Sequence, residues 1–117
     1  MEEQQVRERA DALGAALVDG DVGRATLDFS QELRRNLGEV IALLPLPASE
    51  ATIESIDRGS SGFTVVHRLV GEAEVVLVQT RWKDRDGTPT IIEASHLSSA
   101  AIAAQEADAA GTAEEPG

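Results

Sequence analysis

His67 and Glu93 are the two residues of this chain whose types and placing suit proton chemistry. Each sits on a segment that reads as a β-strand, in line with apolar neighbours two residues away: Val65 and Leu69 beside His67, Ile91 beside Glu93. A buried imidazole or carboxylate is costly unless paired, and its pKa moves toward the neutral form. That is how an acid/base pair is made. In the register set by the turns, the two lie two strands apart and two residues along the strand. The Cα separation is then roughly 11–12 Å, which leaves room for a bound molecule or a water between them. The plainer alternative is that both lie at the sheet edge or hydrogen-bond to backbone.

His96 stays open at this stage. An Asp84–Gly87 turn containing a Gly bulge shifts the last strand by one residue, and such a slip turns His96 inward and Glu93 outward. Two histidines on different strands lack a third ligand at zinc spacing, so no metal site is expected and no cofactor is implied. Trp82 beside Arg81 offers either a stacking surface for a planar ligand or a core side chain capping one end of the fold, with its indole N–H as the polar handle. Asp84–Gly87 has acids but neither the length nor the closing Glu of a calcium loop. No Ser/His/Asp nucleophile arrangement and no phosphate-cradling glycine loop is present.

These residues belong to a three-strand meander, Phe63–Val70, Glu74–Lys83 and Thr90–Leu97. Centring the first turn on Gly71-Glu72 sets His67 against Val76, and the second turn sets Lys83 against Thr88 and Val78 against Glu93. One face then carries Phe63, Val65, His67, Leu69, Val76, Val78, Thr80, Trp82, Ile91, Glu93, Ser95 and Leu97. As the richer in large apolar groups, it is assigned to the helices. Val65, Val78, Thr80, Trp82, Ile91 and Ser95 are the candidate lining of a ligand pocket there, with His67, Glu93 and His96 as candidate catalytic residues. The other face holds Val66, Val75, Leu77 and Ile92, flanked by Arg68, Gln79 and Arg81. A solvated antiparallel face should alternate to polar residues. This one does not, so a homodimer packing sheet on sheet is expected.

Upstream, Val6, Ala10, Leu13 and Leu17 share one helical face, predicting a helix from about Glu3 to Val18 that Gly20 closes. Asp21 caps a short helix, Val22 to about Asp28, and Ser30 caps a third with apolar positions Leu33, Leu37, Val40, Ile41 and Leu44. Pro45 and Pro47 stop it. Ala51–Arg58 is a candidate first strand in which Ile53 and Ile56 break alternation, so it contains either a bulge or a short helical turn. Residues 1–98 thus read as one α+β domain, N-terminal helices on a curved antiparallel sheet. Residues 99–117, rich in Ala and Glu, read as a tail expected to be disordered apart from a frayed helix at Ala100–Ala109.

The 117 residues carry a formal net charge of −11 and contain no cysteine. Nucleic acid and anionic membranes would repel such a chain. No run reaches the length of a membrane span, and the acidic N-terminus is unlike a secretory leader. A cytoplasmic location is expected. Residues 1–50 hold ten acids and five bases, residues 51–98 seven and five, and residues 99–117 four and none, so the sheet is nearly neutral.

Gly20-Asp21 closing the first helix, Thr80-Arg81-Trp82 ahead of Arg85-Asp86-Gly87, and Ile91 through His96-Leu97-Ser98 resemble the nuclear transport factor 2-like superfamily over residues 6–98. The resemblance implies a cone-shaped α+β roll with a pocket under the helices and frequent dimerisation through the convex sheet face. The superfamily holds isomerases, dehydratases, epoxide hydrolases and polyketide cyclases beside non-catalytic binding and assembly domains. Its usual hairpin between the second and third helices has no room between Asp28 and Ser30, and Pro89 stands where many members have Trp. The absent hairpin implies a smaller or more open cone. Three functions follow as expectations: a homodimeric domain binding a small hydrophobic molecule, an acid/base enzyme using His67 with Glu93 or His96, or a protein-interaction module.

Overall fold

The computed structural model describes residues 2–45 and 47–101. Helix α1 spans Glu3–Asp19, with the Gln5 side chain accepting from the Glu2 N–H at 3.0 Å. Val6, Ala10, Leu13 and Leu17 are buried as one stripe, and Gly20 takes the left-handed C-cap conformation at φ 72°. Helix α2 is shorter than expected, Val22–Ala25, although Asp21 caps it as read. The Thr26 hydroxyl donates back to the Val22 carbonyl at 2.9 Å, and Arg34 takes the carbonyls of Thr26, Leu27 and Phe29. Carbonyls held by side chains are withdrawn from helix propagation.

The expected third helix is two. Ser30 caps α3, Gln31–Arg35, and Asn36 separates it from α4, Leu37–Ile41. Asn36 and Gly38 are both weak helix formers, and the N–H groups of Asn36 and Glu39 bond three residues back rather than four.

Four strands follow: β1 Glu50–Arg58, β2 Phe63–Val70, β3 Glu74–Arg85 and β4 Thr88–Ala101. They form an open antiparallel sheet in the order β1-β2-β3-β4. Together with the helices packed on it, this is the expected α+β architecture. The bulge reading of β1 is the observed one. Glu54 is the extra residue, so Ile53 pairs with His67 and Ile56 with Val65, on the same face. Between β1 and β2 the chain folds so closely that a Cβ on Gly62 would lie 2.0 Å from the Trp82 carbonyl oxygen.

Both hairpins differ from the expected register. Val70 pairs with Val75 rather than Ala73, so His67 faces Val78 rather than Val76. The second hairpin turns on Asp86-Gly87, both at positive φ as a type I′ turn requires, and Arg85 rather than Lys83 faces Thr88. Each difference is a shift of two residues, which leaves every side chain on its expected face. The consequential difference lies inside β4. Trp82 pairs with Ile91 but Arg81 pairs with Glu93, so Ile92 is an extra, bulged residue. From there on the faces of β4 are reversed. A second bulge, at Leu97, reverses them again.

The core lies between the helices and one sheet face: Leu13, Leu17, Phe29, Leu33 and Val40 above, Val65, Leu69, Val78, Trp82 and Ile91 below. Phe29 and Ser30 tie the helical layer to β4. The Ser30 N–H donates to the Ile91 carbonyl at 2.9 Å and the Ile91 N–H to the Asp28 carbonyl at 2.7 Å. Strand β4 runs three residues past Ser98, so the segment expected to be tail begins as strand. Residues 102–117, and with them most of the expected Ala100–Ala109 helix, lie outside the described residues.

Candidate functional site

His67 projects from the middle of β2 into the helix-facing side and is only 3 % exposed. Its Nε2 lies 2.8 Å from the Thr80 hydroxyl, and the Trp82 indole N–H donates to the same hydroxyl at 2.8 Å. Thr80 and Trp82 are two apart on β3, so alternation puts both on the same face as His67, with Thr80 between the two rings. The Thr-x-Trp spacing is the sequence signal for this string of three.

The string is short of hydrogen-bond partners. A hydroxyl has one hydrogen and accepts on its lone pairs. If the Thr80 O–H donates to Nε2, the imidazole proton is on Nδ1, and no hydrogen-bond partner for Nδ1 exists among the described residues. If Nε2–H donates to Thr80 instead, both the Thr80 hydrogen and the Nδ1 lone pair are left without partners. The first arrangement leaves fewer groups unsatisfied, and it makes Nδ1–H a buried donor in need of an oxygen. An unmet buried donor costs about 1–3 kcal/mol. Burial pulls the His67 pKa down from 6.5 to about 4, so the imidazole is neutral at pH 7.

His67 lines two small cavities. One, about 10 Å³, lies between the helices and the sheet among Leu13, Leu17, Phe29, Val40, Leu44, Leu69, Val78, Thr80 and Ala94. The other, also about 10 Å³, lies between α1 and β1 against Ala10, Gly14, Ala51 and Ile53, with Asp11 and Thr52 at it. Each has room for about one water. The space under the helices is therefore largely filled by side chains.

Of the expected pocket lining, Val65, Val78, Thr80, Trp82 and Ile91 are all buried on the helix side, but only Val78 and Thr80 border the first cavity. Trp82 is a core side chain, 1 % exposed. Ser95 pairs with Gln79 on the opposite face, where its hydroxyl donates to Glu93 Oε2 at 3.4 Å. Glu93 must be corrected likewise: the Ile92 bulge turns it to the outer face, where its Oε1 accepts from Arg81 Nη1 at 2.9 Å. His67 and Glu93 do not meet. His96 pairs with Val78 and so shares the helix-facing row with His67, two strands away, but it is exposed. That is the alternative left open by the sequence, produced by a bulge within the strand instead of one at the turn. Among the described residues no three His, Asp or Glu side chains come together as a metal site.

The outer face has Val66, Val70, Leu77 and Ile92 half-buried and Val75 buried, with Arg68 and Gln79 among them. No described helix or strand packs on it. Among the described residues no helix is long and apolar enough to cross a membrane. Compared with known proteins, the chain matches no family model and no curated sequence.

Proposed function

We propose that this chain is a small homodimeric domain that works by association, its outer sheet face meeting that of a second copy. The carrying observation is the two-sided character of the sheet: one face lies under helices, and the other, still built on Val66, Val75, Leu77 and Ile92, has no described helix or strand over it. Two chains of net charge −11 repel, so they should meet where charge is most nearly balanced, and the sheet is that region. The affinity of the reading to the nuclear transport factor 2-like superfamily rests on the helix-first order and the antiparallel meander. Light scattering on the full chain tests it. A mass of twice one chain at micromolar concentration is expected, falling to one chain in Leu77→Arg. A monomeric wild type at those concentrations would remove the proposal.

A second reading is favoured by one observation: His67, whose Nδ1 has no partner among the described residues, lines an apolar cavity. It supports a small hydrophobic guest carrying a single acceptor oxygen, which Nδ1–H would anchor. The cavity holds about one water, so such a guest must displace a side chain such as Leu44, which is only partly buried. Titration with cyclohexanone, followed by the nitrogen shifts of the His67 ring, distinguishes a guest from a resident water. Shifts that saturate in wild type, with no binding in His67→Leu, are the expected result. An unmoved ring up to the solubility of the ketone sinks this reading.

A further inference from the structure

The two edges of the sheet are built differently. The β1 edge carries Glu50, Glu54, Asp57 and Arg58 and is bent by the bulge at Glu54. Charges and bulges are the means by which exposed strand edges avoid pairing with other chains. Among the described residues the β4 edge is covered only at its start, where Asp28 and Ser30 bond Ile91. From Ala94 to Ala101 no described residue bonds its outer backbone groups. Those eight residues, Ala-Ser-His-Leu-Ser-Ser-Ala-Ala, contain no Asp, Glu, Lys, Arg, Pro or Gly. Leu97, at their centre, is 47 % exposed. The bulge there leaves regular strand on both sides, paired to β3 through His96 and again from Ser98.

We propose that the β4 edge pairs antiparallel with the β4 edge of a second copy, across a two-fold axis near Leu97 and Ser98. The two four-stranded sheets would then become one of eight strands. The charge pattern selects this occupant. A two-fold axis at that point sets each uncharged residue against another from the same run and brings the two Leu97 side chains together. A strand from a charged partner would find no opposite charge along this edge. The same operation on β1 would instead crowd carboxylates, since Glu50, Glu54 and Asp57 outnumber Arg58. The edge contact uses backbone groups where the face contact uses side chains, so it goes beyond the association proposed above and does not rest on it.

Amide hydrogen exchange of the full chain, compared at about 5 µM and about 500 µM, tests the pairing. The outward amides between Ala94 and Ala101 should slow by at least about tenfold at the higher concentration. Leu97→Lys and Ser98→Lys each place a charge on an already exposed position and should abolish that slowing while Trp82 fluorescence stays native. Leu77→Arg should leave it intact. Association that Leu77→Arg removes, with the outward amides of wild type unprotected throughout, would support the face contact and overturn the edge. Protection that both lysine variants retain, or a monomer at the higher concentration, overturns the edge contact as well.

Discussion

Strand β3 shows both sides of this molecule within eight residues. Val76, Val78, Thr80 and Trp82 point under the helices and are all buried, while Val75, Leu77, Gln79 and Arg81 point outward and run from buried to exposed. The inner row gains its cohesion from packing against α1 and the segment around Phe29. Among the described residues no helix or strand packs over the outer row. One backbone therefore carries side chains with very different energetic consequences, set by what lies across from each row. The strongest test is the adjacent pair at its end. Trp82→Ala removes the largest fully buried side chain and its hydrogen bond to Thr80, and should cost about 3–5 kcal/mol in urea unfolding. Arg81→Ala, one residue away, should cost less than about 1 kcal/mol. Similar costs would dissolve the contrast between the faces.

The same contrast explains what the sequence made readable. The inner rows of β2 and β3 follow from alternation alone, and errors of two residues in both hairpins left them untouched because the side-chain period is also two. The helix caps at Asp21 and Ser30 were legible because a short polar side chain ahead of an apolar run has a local job, accepting from Arg24 N–H and Leu33 N–H. Bulges have no such local chemistry. The one in β1 showed itself through the spacing of Ile53 and Ile56. The one in β4 left an equivalent mark, the adjacent apolar Ile91 and Ile92, but a glycine bulge at the nearby Asp84–Gly87 turn would produce the same one-residue slip. A single extra residue there moved Glu93 and Ser95 out of the candidate site and left His67 with Thr80 and Trp82.

An intermediate effect belongs to His67, among the described residues the one titratable group buried in the inner row. Its folded pKa of about 4 lies below the 6.5 of the unfolded chain. Above about pH 6.5 both states hold a neutral ring, and pH has no effect through this group. As pH falls from there toward 4, the unfolded chain binds a proton that the folded chain does not, so stability drops with pH. Below about pH 4 both states are protonated and the loss is complete, about 3 kcal/mol. Between pH 7 and pH 5 the expected loss is about 2 kcal/mol, and His67→Gln should flatten that part of the profile. A wild-type profile as flat as the variant's would mean that water reaches the ring, contrary to its burial.

The smallest effect bears most directly on the register. Glu93 and Arg81 face solvent, with about half of each side chain accessible, and their contact is a single 2.9 Å ion pair across two strands. Such pairs contribute at most about 1 kcal/mol and weaken with salt. Glu93→Gln should therefore change the unfolding free energy by less than about 0.5 kcal/mol at moderate ionic strength, with the difference shrinking further as salt is added. An inward Glu93 would behave otherwise. Its carboxyl would be desolvated beside Val78 and Ile91, its pKa would rise, and replacement by a neutral amide would stabilise the fold by more than about 1 kcal/mol at pH 7. The sign of this one substitution thus reports which way β4 faces after Ile92, and with it whether the helix-side interior holds one polar group able to exchange a proton or two.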